Sequence, residues 1–454
     1  MTRWGGTLLG AAAGVAGVTV LARVLGFGRT AVLARTLGPS CVGDTYSAAN
    51  AVPNVVFEVV AGGALASLAV PLLAGALAAG DRERAGRTAS ALLTWTLLIL
   101  IPVALLGVVL APVLMRGLVG SDPTCAETLA AGTRMLRIFM PQVVLYGVGL
   151  VLTGIVQADR RFLGPALAPL LSSIVVIGTY LAYAVQGRGG LSRSQELTLA
   201  IGTTAGVAVL ALSLLVPAAK TGLRLRPTLT FPSGIAARVR RLAMAGAAAL
   251  VAQQIALVVA LRLAANGPAG SVVVFQVATA VFLLPWAVLA VPLATTVFPQ
   301  LSSAAERGDE ATFSRLSGEA LRRVLFLTGA AAVLLAALAD LVARLLVGNV
   351  AGTAPVDDLA AAIVGFAPGL VGYGVLALAS RALFARDATR IAAVAMVVGW
   401  LVVAVADIAL VRADVATAAA LAWGNTIGMT VAGLLLLAGL WRTRHFEPRQ
   451  AAGV

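Results

Sequence analysis

Residues 21–60 read LARVLGFGRTAVLARTLGPSCVGDTYSAANAVPNVVFEVV, two long apolar runs parted at Gly38-Pro39, with Arg23, Arg29, Arg35, Asp44, Asn50, Asn54 and Glu58 set singly among them. Followed outward, the runs cover 6–36 and 42–78, each long enough for a helix to cross a hydrocarbon layer of roughly 30 Å. The rest of the chain has the same texture. Of 454 residues 60% are hydrophobic and only 11% charged, with a mean hydropathy of +0.98. A water-facing surface carries far more charge than this, which excludes a soluble protein. Segments of about ten residues alternating apolar and polar, the mark of a transmembrane barrel, are missing. The composition therefore reads as an all-α polytopic membrane protein.

Apolar runs between charged or Gly/Pro-rich breaks give about twelve transmembrane helices. The first six lie near 6–36, 42–78, 90–117, 128–157, 163–185 and 197–218, and the second six near 240–264, 271–303, 321–348, 358–384, 390–411 and 416–440. This divides the chain into an N-terminal six-helix lobe at 1–218, a basic cytoplasmic linker at 219–239, a C-terminal lobe at 240–440 and a cytoplasmic tail at 441–454. Residues 1–26 read as a retained first span rather than a signal peptide. Placing the N-terminus inside puts 22 of the 33 Lys and Arg in cytoplasmic loops, so both termini are expected on the cytoplasmic side of the cell's inner membrane. The net charge of +14 is thus a topology signal and gives no reason to invoke nucleic acid, while 220–241, its richest stretch, suits anionic lipids. An internal echo joins the halves. Pro71 is followed nine residues later by Gly80-Asp81, and Pro299 nine residues later by Gly308-Asp309, an offset of 228 residues. Both copies close a second span and enter a cytoplasmic loop, which predicts two parallel six-helix lobes around a central cavity, rocking to open it on alternate sides.

Ionised side chains within a span are costly and are functional candidates by default. Arg23 and Arg29 are six apart, so on a continuous helix they diverge by about 120°; a bend at Gly26 and Gly28 could bring them together around a diphosphate, whose oxygens suit paired guanidinium donors. Arg35 is better read at the outer end of the first span, against water or headgroups. Asp44 could latch an arginine or touch substrate, and Asn54 joins Arg23, Arg29 and Asp44 as a substrate-binding candidate. Glu58, five residues after Pro53, could take up a proton or cation during rocking, or be buried against an arginine. Gln142, Gln157, Gln253, Gln254, Gln276 and Asn425 read as helix-joining amides, Asp407 as isolated near a span end, and the six tryptophans as including interface anchors rather than a stacking site. Cys41 and Cys125 could bridge if both face outside, the less favoured reading, and they build no metal cluster. The single histidine, His445, lies in the tail, and phosphate-loop and dinucleotide motifs are missing, so neither an enzyme nor a cofactor is expected.

ARVLGFGRTAVLARTLG at 22–38, DTYSAANAVPN at 44–54 and AVPLLAG at 69–75 resemble the lipid II flippase family, MurJ or MviN-like, of the multidrug/oligosaccharidyl-lipid/polysaccharide exporter superfamily. The likeness continues at 154–173, 297–309 and 380–390. The resemblance implies an alternating-access flippase that moves a polyprenyl-diphosphate-linked cell-envelope precursor, lipid II-like, for peptidoglycan biosynthesis. It implies a lipid-linked glycan as substrate; membrane lipids and cell-envelope synthesis enzymes stand as further candidate partners, and coupling to protons, sodium or the membrane potential is left open by the residues. Arg23 and Arg29 match family arginines that face the cavity, and Asp44 matches a family acid. The chain departs from the pattern where Phe57 and Glu58 replace a basic pair, where Ala280 replaces an arginine, and in reading as twelve spans where well-known members have fourteen. The alternatives are a multidrug or other polysaccharide-lipid exporter, and a non-transporting scaffold that recruits envelope enzymes.

Overall fold

Lipid offers no water to a stray backbone hydrogen bond, so apolar runs of this length must close their ladders within helices. The computed structural model describes residues 3–119, 125–187, 191–231, 235–348 and 353–443, and among these every regular element is helical. Ten helices are long and apolar enough to cross a membrane alone, and an eleventh crossing is the pair Pro355–Phe366 and Gly369–Ala385, bent by 41°. The remaining predicted run, 42–78, is filled by Cys41–Phe57 and Gly63–Ala78 joined through one π-helical turn, Glu58–Gly62. The chain divides into two compact units, Met1–Val251 and Ala252–Val454, the division falling inside the helix Ile235–Ala265. The expected tail from 444 onward, with His445, lies outside the described residues.

The repeat heard faintly in the sequence is written in the helix breaks. A second π-helical turn, Trp286–Ala290, stands 228 residues after the first. The Gly-Asp pairs have one geometry. Gly80 takes φ +75° and Gly308 φ +66°, where a Cβ would be strained. The N–H of Asp81 reaches back to the Ala76 carbonyl at 2.9 Å and that of Asp309 to Ala304 at 2.9 Å, which closes each helix. Each aspartate then opens the next helix. Asp81 Oδ1 accepts from the Arg84 N–H at 2.8 Å and Asp309 Oδ1 from the Thr312 N–H at 2.9 Å. Two further breaks recur at an offset of 227, at Met140-Pro141 and Ala367-Pro368, and at the left-handed turns of Arg160 (φ 61°) and Asp387 (φ 56°). The order of marks is the same in both units, so the halves repeat one backbone plan.

Packing sorts small residues inward and aliphatic ones outward. Along Arg82–Val119, Leu100, Ala104, Gly107, Ala111 and Met115 are buried while Leu105, Val109 and Val113 stay more than 60% exposed, the surface that lipid covers. At Gly372 a Cβ would lie 2.8 Å from the Met429 backbone, so only glycine lets these helices approach so closely. One expectation is corrected. Cys41 and Cys125 form a disulfide with Cα atoms 5.3 Å apart, because the Gly38–Ser40 elbow and the start of Ala126–Phe139 meet, as Thr45 and Thr128 also do through a 2.7 Å hydroxyl hydrogen bond. Spacing of 84 residues carried no hint of that meeting.

Gly308→Ala is expected to lower stability in detergent by about 1 kcal/mol, since the left-handed conformation penalises a Cβ, whereas Gly318→Ala, in a helix with open space around it, is expected to raise it slightly. Thermal unfolding of both variants checks this. The Thr312 N–H holds the Asp309 carboxyl below its ordinary range, so the Asp309 cap contributes in full at neutral pH and is lost only as pH falls through that lowered value.

Candidate functional site

In the N-terminal unit the first helix, Arg3–Thr36, runs unbroken through Gly26 and Gly28. Arg23 and Arg29 therefore stay about 9 Å apart along its axis and meet different neighbours. The half-buried Arg29 acts electrostatically on the hydroxyls of Tyr146, Tyr180 and Tyr46. Tyr146 also hydrogen-bonds the Asn54 side chain and packs its ring 5.6 Å from that of Phe57. The buried Tyr46 hydroxyl joins Tyr180 at 3.0 Å and Thr203 at 2.7 Å, tying the second, fifth and sixth spans together. Among the described residues no carboxylate forms an ion pair with Arg29. The result is a half-buried guanidinium within electrostatic reach of three tyrosine hydroxyls, one of them hydrogen-bonded to the Asn54 amide, and guanidinium and hydroxyl donors suit a phosphate.

Arg23 instead lines an open groove of about 480 Å³ with Thr19, Gln157, Phe162 and Pro169. Asp44 is 7% exposed in the first turn of Cys41–Phe57, beside the disulfide. It is ten residues, or about 15 Å of helix, from Asn54, so the structure does not gather Asp44 with Arg29 and Asn54. Its position favours the helix start, where negative charge is stabilised. Glu58 is half-buried, one turn beyond Asn54, and opens the π-helical turn.

The C-terminal unit holds a second constellation. Met396, Trp400, Val403 and Asp407 recur at three- and four-residue steps along Thr389–Arg412 and so share one helix face. They line a cavity of about 420 Å³ together with Gln253, Thr279, Tyr373 and Asn425. Its wall is aromatic. Tyr373 meets Phe282, Trp286 and Trp400 edge-on at 5.1, 5.6 and 6.4 Å, and Phe282 stacks on Phe366 at 5.0 Å. The Tyr373 hydroxyl is hydrogen-bonded to Asn425. Asp407 is 1% exposed and neither carboxylate oxygen has a hydrogen-bond partner among the described residues. Gly424 makes room for it, since a Cβ there would strike Asp407 Oδ1. From the sequence alone Asp407 reads as isolated, and the tryptophans give no stacking site. The available signal was the helical spacing of Trp400 and Asp407, seven residues apart and so on one face.

The family described as "Lipid II flippase MurJ" matches residues 33–452. A relative, "Probable lipid II flippase MurJ" of Rhizobium tropici, is 26% identical over 381 residues, covering 83% of this chain and 70% of its own. Among solved structures, one described as "Lipid II flippase MurJ, inward closed conformation" has a TM-score of 0.79 at 21% identity and covers 94% of this chain and 87% of its own. An inward-facing multidrug resistance MATE family transporter of the MOP superfamily has a TM-score of 0.75 at 15% identity, covering 94% of each chain. These likenesses to structures carry the fold.

Asp407→Asn is expected to raise thermal stability by about 1 kcal/mol or more, because a buried carboxylate without hydrogen bonds is replaced by a neutral amide. A fall in the unfolding temperature would mean that the carboxylate has a stabilising partner.

Proposed function

The chain belongs to the lipid II flippase MurJ family, and from that premise we propose that its N-terminal unit reads the diphosphate of a polyprenyl-diphosphate-linked precursor through Arg29, Tyr146 and Asn54. Members of this family are multi-pass membrane transporters of a lipid-linked glycan and not enzymes. The observation that carries the residue assignment is Arg29, half-buried within electrostatic reach of the Tyr146, Tyr180 and Tyr46 hydroxyls and, among the described residues, in ion-pair contact with no carboxylate. A charge that costly to hold in a span needs a counter-ion, and a diphosphate supplies one. Arg23, in its separate groove with Gln157, meets a more distant part of the same substrate.

The disulfide supports an orientation with both termini cytoplasmic. Cys41 lies between the first and second spans and Cys125 between the third and fourth, on the face opposite the arginine-rich turns at 82–87 and 160–161. Disulfides persist on the oxidising side of a membrane, which is also where the charge bias puts these loops. For coupling we assign carboxylates. Glu58 opens a π-helical turn one turn beyond Asn54, and Asp407 is a buried acid of the aromatic cavity without a hydrogen-bond partner among the described residues. Uptake of a proton or cation by either would relieve a buried charge and bias one conformation over another.

A leaflet-translocation assay in proteoliposomes tests the scheme. Arg29→Ala is expected to slow transport at least tenfold under every gradient and Arg23→Ala by less, while Asp407→Asn is expected to remove only the dependence on an imposed proton or sodium gradient. Unchanged transport in both arginine variants would remove the proposed diphosphate site.

A further inference from the structure

The basic linker is strapped onto the unit it follows. Residues 221–230 run beside the start of Arg82–Val119, where Ser90 Oγ accepts from the Arg226 N–H at 2.9 Å and Thr94 Oγ1 from the Thr228 N–H at 3.2 Å. Trp95 Nε1 donates to the Leu229 carbonyl at 3.0 Å. Gly86 allows the approach, since a Cβ there would stand 3.1 Å from the Arg224 carbonyl oxygen. Between strap and helix lies a cavity of about 570 Å³ lined by Arg82, Arg87, Arg224 and Arg226, with Glu83 and Ser90. That volume is in the range of small-molecule sites.

Charge decides what it holds. Four guanidinium groups face one carboxylate, and among the described residues none of these five makes an ion pair. The strap is fastened by the neutral side chains of Ser90, Thr94 and Trp95, and apart from the long Arg82 contact to the Thr221 carbonyl at 3.5 Å it leaves the arginines unused. Like charges gathered this way repel unless an anion sits between them. The repeat supplies a contrast. At the matching helix start in the other unit the residue is Glu310, which pairs with Arg386, and Arg386 lies 4.1 Å over the Phe313 ring. There the corner is neutralised from within, whereas in the N-terminal unit Arg82 takes the place of the acid and the strap adds two more arginines.

We propose that this strap cleft is a binding site for a phosphate-bearing anion, separate from the transported substrate's site, with arginine pairs from helix and strap holding the phosphate oxygens. Guanidinium groups recognise phosphate through paired donors. The phosphate belongs either to an anionic phospholipid headgroup or to a soluble phosphate compound. The exposed Leu225, Leu229 and Trp95 on the strap and beside it place apolar surface next to the cleft, as a lipid would require.

The full-length protein in phosphatidylcholine nanodiscs separates the sources. Phosphatidylglycerol is added to the bilayer in one arm and inorganic pyrophosphate to the buffer in the other, and occupancy is read by native mass spectrometry. Wild type is compared with Arg224→Gln/Arg226→Gln, with Arg82→Gln/Arg87→Gln, and with Arg315→Gln/Arg323→Gln, which removes equal charge elsewhere. Wild type and the last variant are expected to hold a probe at least tenfold tighter than either cleft variant, and to release it at about 0.5 M salt. Retention of phosphatidylglycerol alone assigns a lipid headgroup, and retention of pyrophosphate assigns a soluble ligand. If both cleft variants bind both probes as wild type does, or if the distant variant loses as much, the proposal is overturned. The two cleft pairs lie on different segments, so misfolding of one leaves the other to decide.

Discussion

Every backbone amide buried in lipid must find an acceptor within its own helix or close beside it, and each interruption of that ladder has to be compensated locally. Several of the places where this chain breaks its helices come in pairs. π-helical turns stand at Glu58–Gly62 and Trp286–Ala290, glycine closures at Gly80 and Gly308, proline breaks at Pro141 and Pro368. Side chains at the matched sites have diverged while the breaks have stayed. Glu58 and Trp286 occupy equivalent positions, as do Arg82 and Glu310. What the two units share is a backbone plan, and what distinguishes them is the chemistry hung upon it.

That chemistry is divided. The N-terminal unit sets Arg29 within electrostatic reach of Tyr146, Tyr180 and Tyr46, with the Asn54 amide on Tyr146, under the proposed function a setting for negative charge. The C-terminal unit encloses aromatic rings around Tyr373 and the buried Asp407, without a hydrogen-bond partner among the described residues, under the same proposal a setting for a proton or positive charge. Under the proposed scheme the anion and the proton or cation are met by different units, and an arginine and an acid set into one low-dielectric site would pair with each other instead.

Much of the fold was legible because span length and loop charge are strong signals that each segment carries by itself. The Gly-Asp echo was legible for the same reason, since a left-handed closure and an aspartate cap are local requirements. The site was only half legible. Arg29 and Asn54 come together as candidates, but only through Tyr146, contributed by a third helix that nothing in 21–60 foretells. Arg23 keeps its own company because the helix stays continuous at Gly26 and Gly28. Asp407 was passed over because the worth of a lone acid depends on Gln253, Tyr373 and Asn425, which arrive from three other segments. The disulfide was disfavoured for a similar reason, as it depends on two loops that meet only after folding.

Both cysteines of the chain are consumed by that one bridge. The oxidised native protein thus presents no free thiol to a sulfhydryl-directed fluorophore or spin label, and a cysteine introduced at a chosen position would be the sole reactive group. Distances between probe pairs can accordingly be followed through a transport cycle without first stripping the protein of its own sulfur.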